Sequence, residues 1–207
     1  MSANDIQSRL NECGTRREKA NGLFRTSKFS EALSEYKDIA AVIDSIVTSN
    51  SLDSGSELMQ QCMIAKIPCE LNGILCLLNL EKYQEASALA DTLLGYDTIH
   101  FKRVQHAKLQ YRKGVAEEKL GHREAALRFY ETASKIDPQD SKIKSAYNRL
   151  KVTPEDVQEL EEFLSTGKMP SFAKTPSNSE MNQRFPNLQE ALEKSGLKMT
   201  NFGMNLG

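Results

Sequence analysis

Three stretches of the chain place small and aromatic residues at a recurring spacing. In the first and third stretches, a small residue precedes an alanine by twelve positions, and a tyrosine follows that alanine by four. These residues are Ala20, Ala32 and Tyr36 in the first stretch and Gly114, Ala126 and Tyr130 in the third. The second stretch, with Ala86 as its alanine, departs from the pattern and has Ile74 and Ala90 at the flanking positions. Because one such unit alone leaves an apolar face open, the pattern predicts about three stacked helix–turn–helix units.

This pattern resembles the tetratricopeptide repeat (TPR), a helix–turn–helix unit of 34 residues. The three alanines are 54 and 40 residues apart, which leaves 20 extra residues after the first unit and 6 after the second. The longer insert includes the polar residues 49–55 and predicts a turn between elongated helices. A similar long first connection is found in the TPR domains of large immunophilins. The chain has no room for a prolyl-isomerase domain, so the resemblance predicts a stand-alone version.

The resemblance implies an all-α fold, a right-handed superhelix of three TPR units followed by a capping helix. We predict helices at residues 3–26, 29–48, 55–80, 82–95, 98–120, 122–136 and 139–151. The TPR domain is expected to span residues 1–152, with residues 141–150 covering the open face of the last unit.

Residues 153–207 are expected to form a C-terminal helix and a flexible, partly disordered tail. Thr153 and Pro154 are typical of a helix N-cap and first position, and we predict a helix to about residue 164. From residue 165 onward, proline, serine and asparagine predominate, and few residues can form a core. Residues 199–207 carry exposed apolar side chains, so this end is either a flexible tail or a segment that docks on a groove.

Composition and charge exclude several classes of protein. The net charge is −1 with 27% charged residues, which argues against nucleic-acid binding. No apolar run reaches the roughly eighteen to twenty residues that span a bilayer, so no membrane association is expected. The N-terminal residues lack the basic and apolar regions of a signal peptide, which favours a cytoplasmic location.

Four cysteines are expected to be buried and reduced. Cys62, Cys69 and Cys76 recur every seven residues on one predicted helix, where their Cα atoms would be about 10 Å apart and unable to form disulfides. Cys13 lies on another helix, and no CxxC or Cys/His spacing predicts a metal site. Pro68 is expected to kink the cysteine-containing helix. The sequence has no phosphate loop, GxSxG or HExxH motif, so neither an enzyme nor a cofactor is expected.

Basic and amide side chains recur on the first helices of the three units. Arg17 and Asn21, and likewise Lys108 and Arg112, are i, i+4 pairs that each lie on one helix face, and Asn72 lies between them in the chain. These side chains are donors suited to a carboxylate. In TPR proteins of the co-chaperone type, five such donors form a carboxylate clamp, and this resemblance assigns that role to the five residues named here. Four match by identity, while Arg17 stands where lysine is usual.

The clamp of that family binds the C-terminal Glu-Glu-Val-Asp of heat shock proteins 90 and 70 (Hsp90 and Hsp70). The terminal aspartate presents two carboxylates, and each charged hydrogen bond contributes roughly 1.5–3 kcal/mol, which predicts micromolar affinity. Phe24 and Leu75 are candidates for an apolar seat under the ligand's valine, although a core role for Phe24 is equally open. Gln110 and Lys113 are candidates for contacts with acidic residues upstream.

Three functions remain open from the sequence. The resemblance favours a co-chaperone adaptor whose partner is the C-terminal peptide of Hsp90 or Hsp70. The alternative is a TPR scaffold that binds another acidic or C-terminal peptide in a complex unrelated to chaperones. A third possibility is a protein that self-associates through its C-terminal tail, although a monomer is expected.

Overall fold

The computed structural model describes residues 3–50, 52–53, 55–96, 98–151, 158–159, 161–162 and 165–166. The chain divides into two compact units, Met1–Ile143 and Lys144–Gly207. The second unit contains the last residues of a helix that ends at Lys151. Its described residues at 158–159, 161–162 and 165–166 are also helical. Most of the predicted C-terminal helix and the whole predicted tail lie outside the described residues.

The described residues form seven α-helices and one short 3-10 helix. The α-helices are α1 (Ala3–Arg25), α2 (Phe29–Ser49), α3 (Glu57–Asn79), α4 (Tyr83–Leu94), α5 (Arg103–Lys119), α6 (Arg123–Ile136) and α7 (Ser141–Lys151). The all-α prediction is confirmed, and most boundaries agree within two residues. The exception is α5, because Thr98–His100 forms the separate 3-10 helix. The Gln105 side chain accepts the Lys102 backbone N–H at 2.9 Å and fixes the later start of α5.

Consecutive helices pack as three pairs, and the first helices of the pairs are also neighbours. Helix α1 packs against α2, α3 against α4, and α5 against α6. The central helix α3 additionally contacts α1 and α5, so it links the first helices of the three pairs within the first unit. This arrangement brings together the helices that carry the predicted clamp residues. The first turn of α7 joins the same unit, where Ile143 packs against Ala107 and Ala133.

The recurring small and aromatic residues lie in the core, as the pattern predicts. Ala20, Ala32 and Ala126 are fully buried, and the rings of Tyr36 and Tyr130 are 1% exposed. The tyrosine hydroxyls nevertheless have partners, since Tyr36 donates to Asn21 at 2.6 Å and Tyr130 to Glu118 at 2.7 Å. The Tyr130 ring lies against Gly114, and the polar ends of both buried tyrosines have hydrogen-bond partners.

The turns within the three units share one backbone geometry. Ser27, Glu81 and Gly121 each adopt positive φ, with values of 59°, 58° and 85°. The residue after each of them donates its backbone N–H to a carbonyl five positions earlier, from Lys28, Lys82 and His122 to Leu23, Leu77 and Glu117. This hydrogen bond is the mark of a Schellman-type helix end. The three turn positions have the same separations as the three key alanines, so the second unit keeps the register that its sequence obscures.

Gly114 is the position where the α5–α6 packing is most sensitive to a side chain. A Cβ at this position would lie 2.7 Å from the Tyr130 ring and 3.3 Å from the Ala126 carbonyl oxygen. We expect Gly114→Ala to lower the free energy of unfolding by about 1–3 kcal/mol, measured by urea denaturation, because the buried ring has little room to move. Gly22→Ala is the matched control, since nothing lies within 4 Å of its Cβ position. That substitution should stabilise α1 by about 0.5–1 kcal/mol, and an equal gain at Gly114 would contradict the expectation.

Helix α3 carries the most apolar surface. By length and composition alone it could cross a membrane, contrary to the sequence expectation. More than half of its most apolar stretch is buried within the protein.

Helix α3 continues unbroken through Pro68. Its three cysteines and Cys13 are free and buried, as predicted. Burial raises the pKa of the Cys69 thiol to about 12 and that of Cys76 to about 11, so both stay protonated at neutral pH.

Candidate functional site

Two of the predicted clamp residues, Asn21 and Asn72, are directly hydrogen-bonded although they are 51 positions apart. The Asn72 amide Nδ2 donates to Asn21 Oδ1 at 3.2 Å, and the same oxygen accepts the Tyr36 hydroxyl at 2.6 Å. Asn72 Nδ2 also lies 3.3 Å from the Tyr36 hydroxyl oxygen. This amide cluster ties α1, α2 and α3 together, so the repeat tyrosine fixes the orientation of both asparagines.

Arg112 is a partly buried cation on α5. Its guanidinium Nη1 donates to the backbone carbonyl of Leu71 on α3. Desolvation lowers the pKa of Arg112 to about 10, only partly offset by electrostatic interactions with Cys76 and Tyr36, and the group remains charged at neutral pH. Among the described residues, no carboxylate forms a salt bridge with it. A charged group in this position gains strongly from any anion that reaches it.

Lys108, Arg112 and Leu75 line one cleft, which we call the basic cleft. It lies among α3, α5 and the residues at the start of α7, and its volume is about 390 Å³. Lys108 is exposed and, within the described part of the chain, has no ion pair. Leu78 and Val115 add apolar side chains to the same walls. The cleft therefore offers charged donors beside apolar surface, which is what the C-terminus of a peptide with an apolar residue near its end requires.

Arg17 lies apart from the basic cleft, on the α1 side of α3. Its guanidinium Nε is 3.9 Å from a Glu18 carboxylate oxygen, and its charge acts on the thiol of Cys69. Helix α3 connects the amide cluster with the basic cleft. It carries Asn72 of the cluster, Leu75 of the cleft and the backbone carbonyl that Arg112 binds. The structure thus joins Asn21 with Asn72 and Lys108 with Arg112. Participation of Arg17 in the same site stays a prediction.

Comparisons with known proteins agree with this architecture. The C-terminal TPR-containing domain of a Plasmodium falciparum FK506-binding protein superposes with a TM-score of 0.58 at 21% identity, covering 78% of this chain and 96% of that domain. The chain has the TPR fold. The TPR domain of OM64 from Arabidopsis matches with a TM-score of 0.50 at 18% identity, covering 69% of this chain and 97% of that one.

Curated relatives are also similar in sequence, and one of them is a plant protein. The peptidyl-prolyl cis-trans isomerase FKBP42 of Arabidopsis thaliana is 25% identical over 177 residues, which is 83% of this chain and 46% of that protein. The chain therefore spans about half the length of this relative. No family model matches the sequence.

Two predicted peptide contacts, Phe24 and Gln110, have partners within the TPR domain. Phe24 packs edge-on against Phe29, with ring centroids 5.2 Å apart, beside the hydrophobic core. Gln110 is 8% exposed, and its amide nitrogen is 3.1 Å from the His106 ring. Of the two roles that the sequence left open for Phe24, its position beside the hydrophobic core matches the core role. The Gln110 side chain is buried from solvent. Neither residue is among those that line the basic cleft.

Lys113 is the clearest correction. It is 4% exposed, and its ammonium donates to Ser87 Oγ at 2.7 Å and pairs with Asp91 and Glu117 carboxylates at 2.8 Å each. These three acceptors match the three N–H donors of a lysine. The prediction that Lys113 contacts a ligand is therefore wrong, because successive positions of a helix turn by about 100° and Lys113 faces α4 instead of the cleft that Arg112 lines.

Two residues at the start of α7 belong to the TPR domain's basic cleft and were missed in the sequence. Asp140 and Lys142 both line it. The Asp140 carboxylate accepts the backbone N–H groups of Lys142 at 2.9 Å and Ile143 at 3.1 Å, which is helix N-capping. The Asp-Ser pair at residues 140 and 141 is a recognisable helix start. This pair could have located the start of α7 in the sequence. The proximity of α7 to α5 arises only from the fold.

Proposed function

We propose that this TPR domain is a protein-binding adaptor that holds the C-terminal carboxylates of an acidic peptide, with the Glu-Glu-Val-Asp tail of Hsp90 or Hsp70 as the ligand. The observation that carries the proposal is Arg112, a desolvated cation whose side chain binds only a backbone carbonyl within the described residues. It shares a cleft with Lys108, a second cation for which the same described residues offer no ion pair.

Two buried lysines in the TPR domain illustrate the contrast with the partly buried Arg112. Lys66 pairs with Asp44 at 2.5 Å and with Glu70 at 3.5 Å. Lys113 likewise has two carboxylate partners. Buried charges are normally compensated in this way, because an uncompensated buried charge costs several kcal/mol. Arg112, which is partly buried, has no carboxylate partner among the described residues and lies in a cleft that is open to a ligand, which supports an external anion as its partner.

The walls of the basic cleft fit the end of such a peptide. Lys108 and Arg112 supply charged donors for the carboxylates of the terminal aspartate. Leu75 and Val115 offer apolar surface to the preceding valine. The amide cluster fixes Asn72 one helical turn before Leu75 on the same helix, which supports its assignment as a further donor.

Binding of acetyl-MEEVD, measured by fluorescence anisotropy with a labelled peptide, tests the proposal. We expect micromolar affinity, and we expect amidation of the peptide's C-terminus to weaken it at least tenfold because one charged acceptor is lost. Equal binding of the acid and the amide would instead support a scaffold that recognises internal acidic residues. Absence of binding to both peptides would refute the proposal. A cytoplasmic location and a monomeric state belong to the same proposal and remain to be measured.

A further inference from the structure

Lys142 gives the basic cleft a cation from a third helix. The residue is the second of α7, it is exposed, and it lines the cleft together with Lys108 and Arg112 of α5. No ion pair of Lys142 occurs among the described residues. Its charge is therefore available to a ligand.

The backbone at Lys142 is held firmly against α5 and α6. The next residue, Ile143, is 2% exposed and packs against Ala107 and Ala133. Asp140 caps the helix by accepting the backbone N–H groups of Lys142 and Ile143. A lysine whose backbone is fixed in this way loses less conformational freedom on binding than one on a free loop.

The charges that line the basic cleft favour more than one carboxylate. Three cations, Lys108, Arg112 and Lys142, stand against one acid, Asp140. One oxygen of that acid already accepts two backbone N–H groups, so the acid serves the start of the helix. Two cations on α5 suffice for a terminal residue, and the third is then left for another acidic group of the same ligand.

We propose that Lys142 binds an acidic side chain upstream of the peptide's terminal residue and so makes the cleft selective for acidic tails over other C-termini. This inference rests on the proposed function of the cleft. Because a volume of about 390 Å³ encloses only the end of a peptide, the acidic side chain lies within the last few residues. In Glu-Glu-Val-Asp, the nearest upstream acid is the glutamate that precedes the valine. We assign this glutamate as the partner of Lys142.

A double-mutant cycle tests the assignment. The full chain and its Lys142→Gln variant are titrated with acetyl-MEEVD and with acetyl-MEQVD, in which that glutamate becomes the isosteric glutamine. We expect the glutamine peptide to bind wild type three- to tenfold more weakly, and the Lys142→Gln variant to bind both peptides equally. Lys144→Gln is the matched control, since Lys144 is exposed on the same helix and is absent from the cleft walls. It should retain the wild-type difference.

The outcomes separate this inference from the proposed function. If Lys142→Gln weakens both peptides by the same factor, or weakens neither, the assignment of Lys142 is overturned while carboxylate binding stands. If Lys144→Gln removes the difference as well, the effect is one of overall charge, and the assignment also fails. Wild-type protein that does not bind acetyl-MEEVD would overturn both.

Discussion

Replacing Lys113 by alanine is expected to lower the free energy of unfolding by about 3–5 kcal/mol, because it leaves a buried carboxylate without its cation. The Glu117 side chain is 10% exposed and pairs with the lysine ammonium at 2.8 Å. Asp91, the other acid, is 59% exposed and can be hydrated instead. The lysine also lies 5.6 Å from the centre of the Phe129 ring, a favourable contact that alanine would remove.

Urea denaturation of the two lysine variants of α5 checks this expectation. Lys108→Ala is the matched control, because it removes the same charge from an exposed position and should change stability by no more than about 0.5 kcal/mol. Similar losses in the two variants would contradict the burial of Lys113. The comparison also separates the two roles of lysine on α5, since Lys113 should govern stability and Lys108 should govern binding.

Acid titration provides a second measurement of the same interaction. Burial raises the pKa of Glu117, but hydrogen bonds from Lys113, Ser87 and His122 outweigh it and hold the pKa at about 2, below the usual 4.5. The stability that the ionised form contributes is therefore present above about pH 4.5 and is lost as pH falls toward 2. In Lys113→Ala, which lacks the principal donor, the folded-state pKa of Glu117 should lie closer to its usual 4.5, so the stability lost between pH 4.5 and 2 should be smaller than in wild type. An unchanged acid profile would argue against the pairing.

The repeat could be predicted from the sequence because its constraint is one of size. A helix pair can approach closely only where one side chain is small, so Ala20 and Ala126 carry the register directly in their spacing. The turn residues indicate the register of the repeat less clearly. Ser27 and Glu81 adopt the positive φ that Gly121 accommodates without strain, and sequence alone gives no reason to expect that conformation in serine or glutamate. The second unit therefore keeps a geometry that its residue types conceal.

Which lysines line the basic cleft could be predicted only in part. The i, i+4 spacing of Lys108 and Arg112 places both on one helix face, and the cleft confirms that they share it. The burial of Lys113 depends on Asp91, which is 22 positions away on α4. The presence of Lys142 in the cleft depends on how the start of α7 packs on α5. Such contacts between separate helices leave no periodic signal in the sequence.

The strongest effect on binding is expected from Lys108 and Arg112. Alanine at either position should weaken acetyl-MEEVD at least tenfold, or about 1.4 kcal/mol, because each removes a charged hydrogen bond to the terminal residue. The double variant should lose about a hundredfold. If both cations bind the same carboxylate, the loss of binding free energy in the double variant should be smaller than the sum of the two single losses.

Variants on the same helix separate clamp chemistry from charge and from folding. Lys119→Ala removes an exposed charge outside the basic cleft and should bind like wild type. Arg112→Lys keeps the charge but loses the planar pair of donors, so it should recover only part of the affinity. Circular dichroism should report unchanged helical content in the Lys108 and Arg112 variants. If the double variant is folded and still binds acetyl-MEEVD with wild-type affinity, the carboxylates are not held by Lys108 and Arg112.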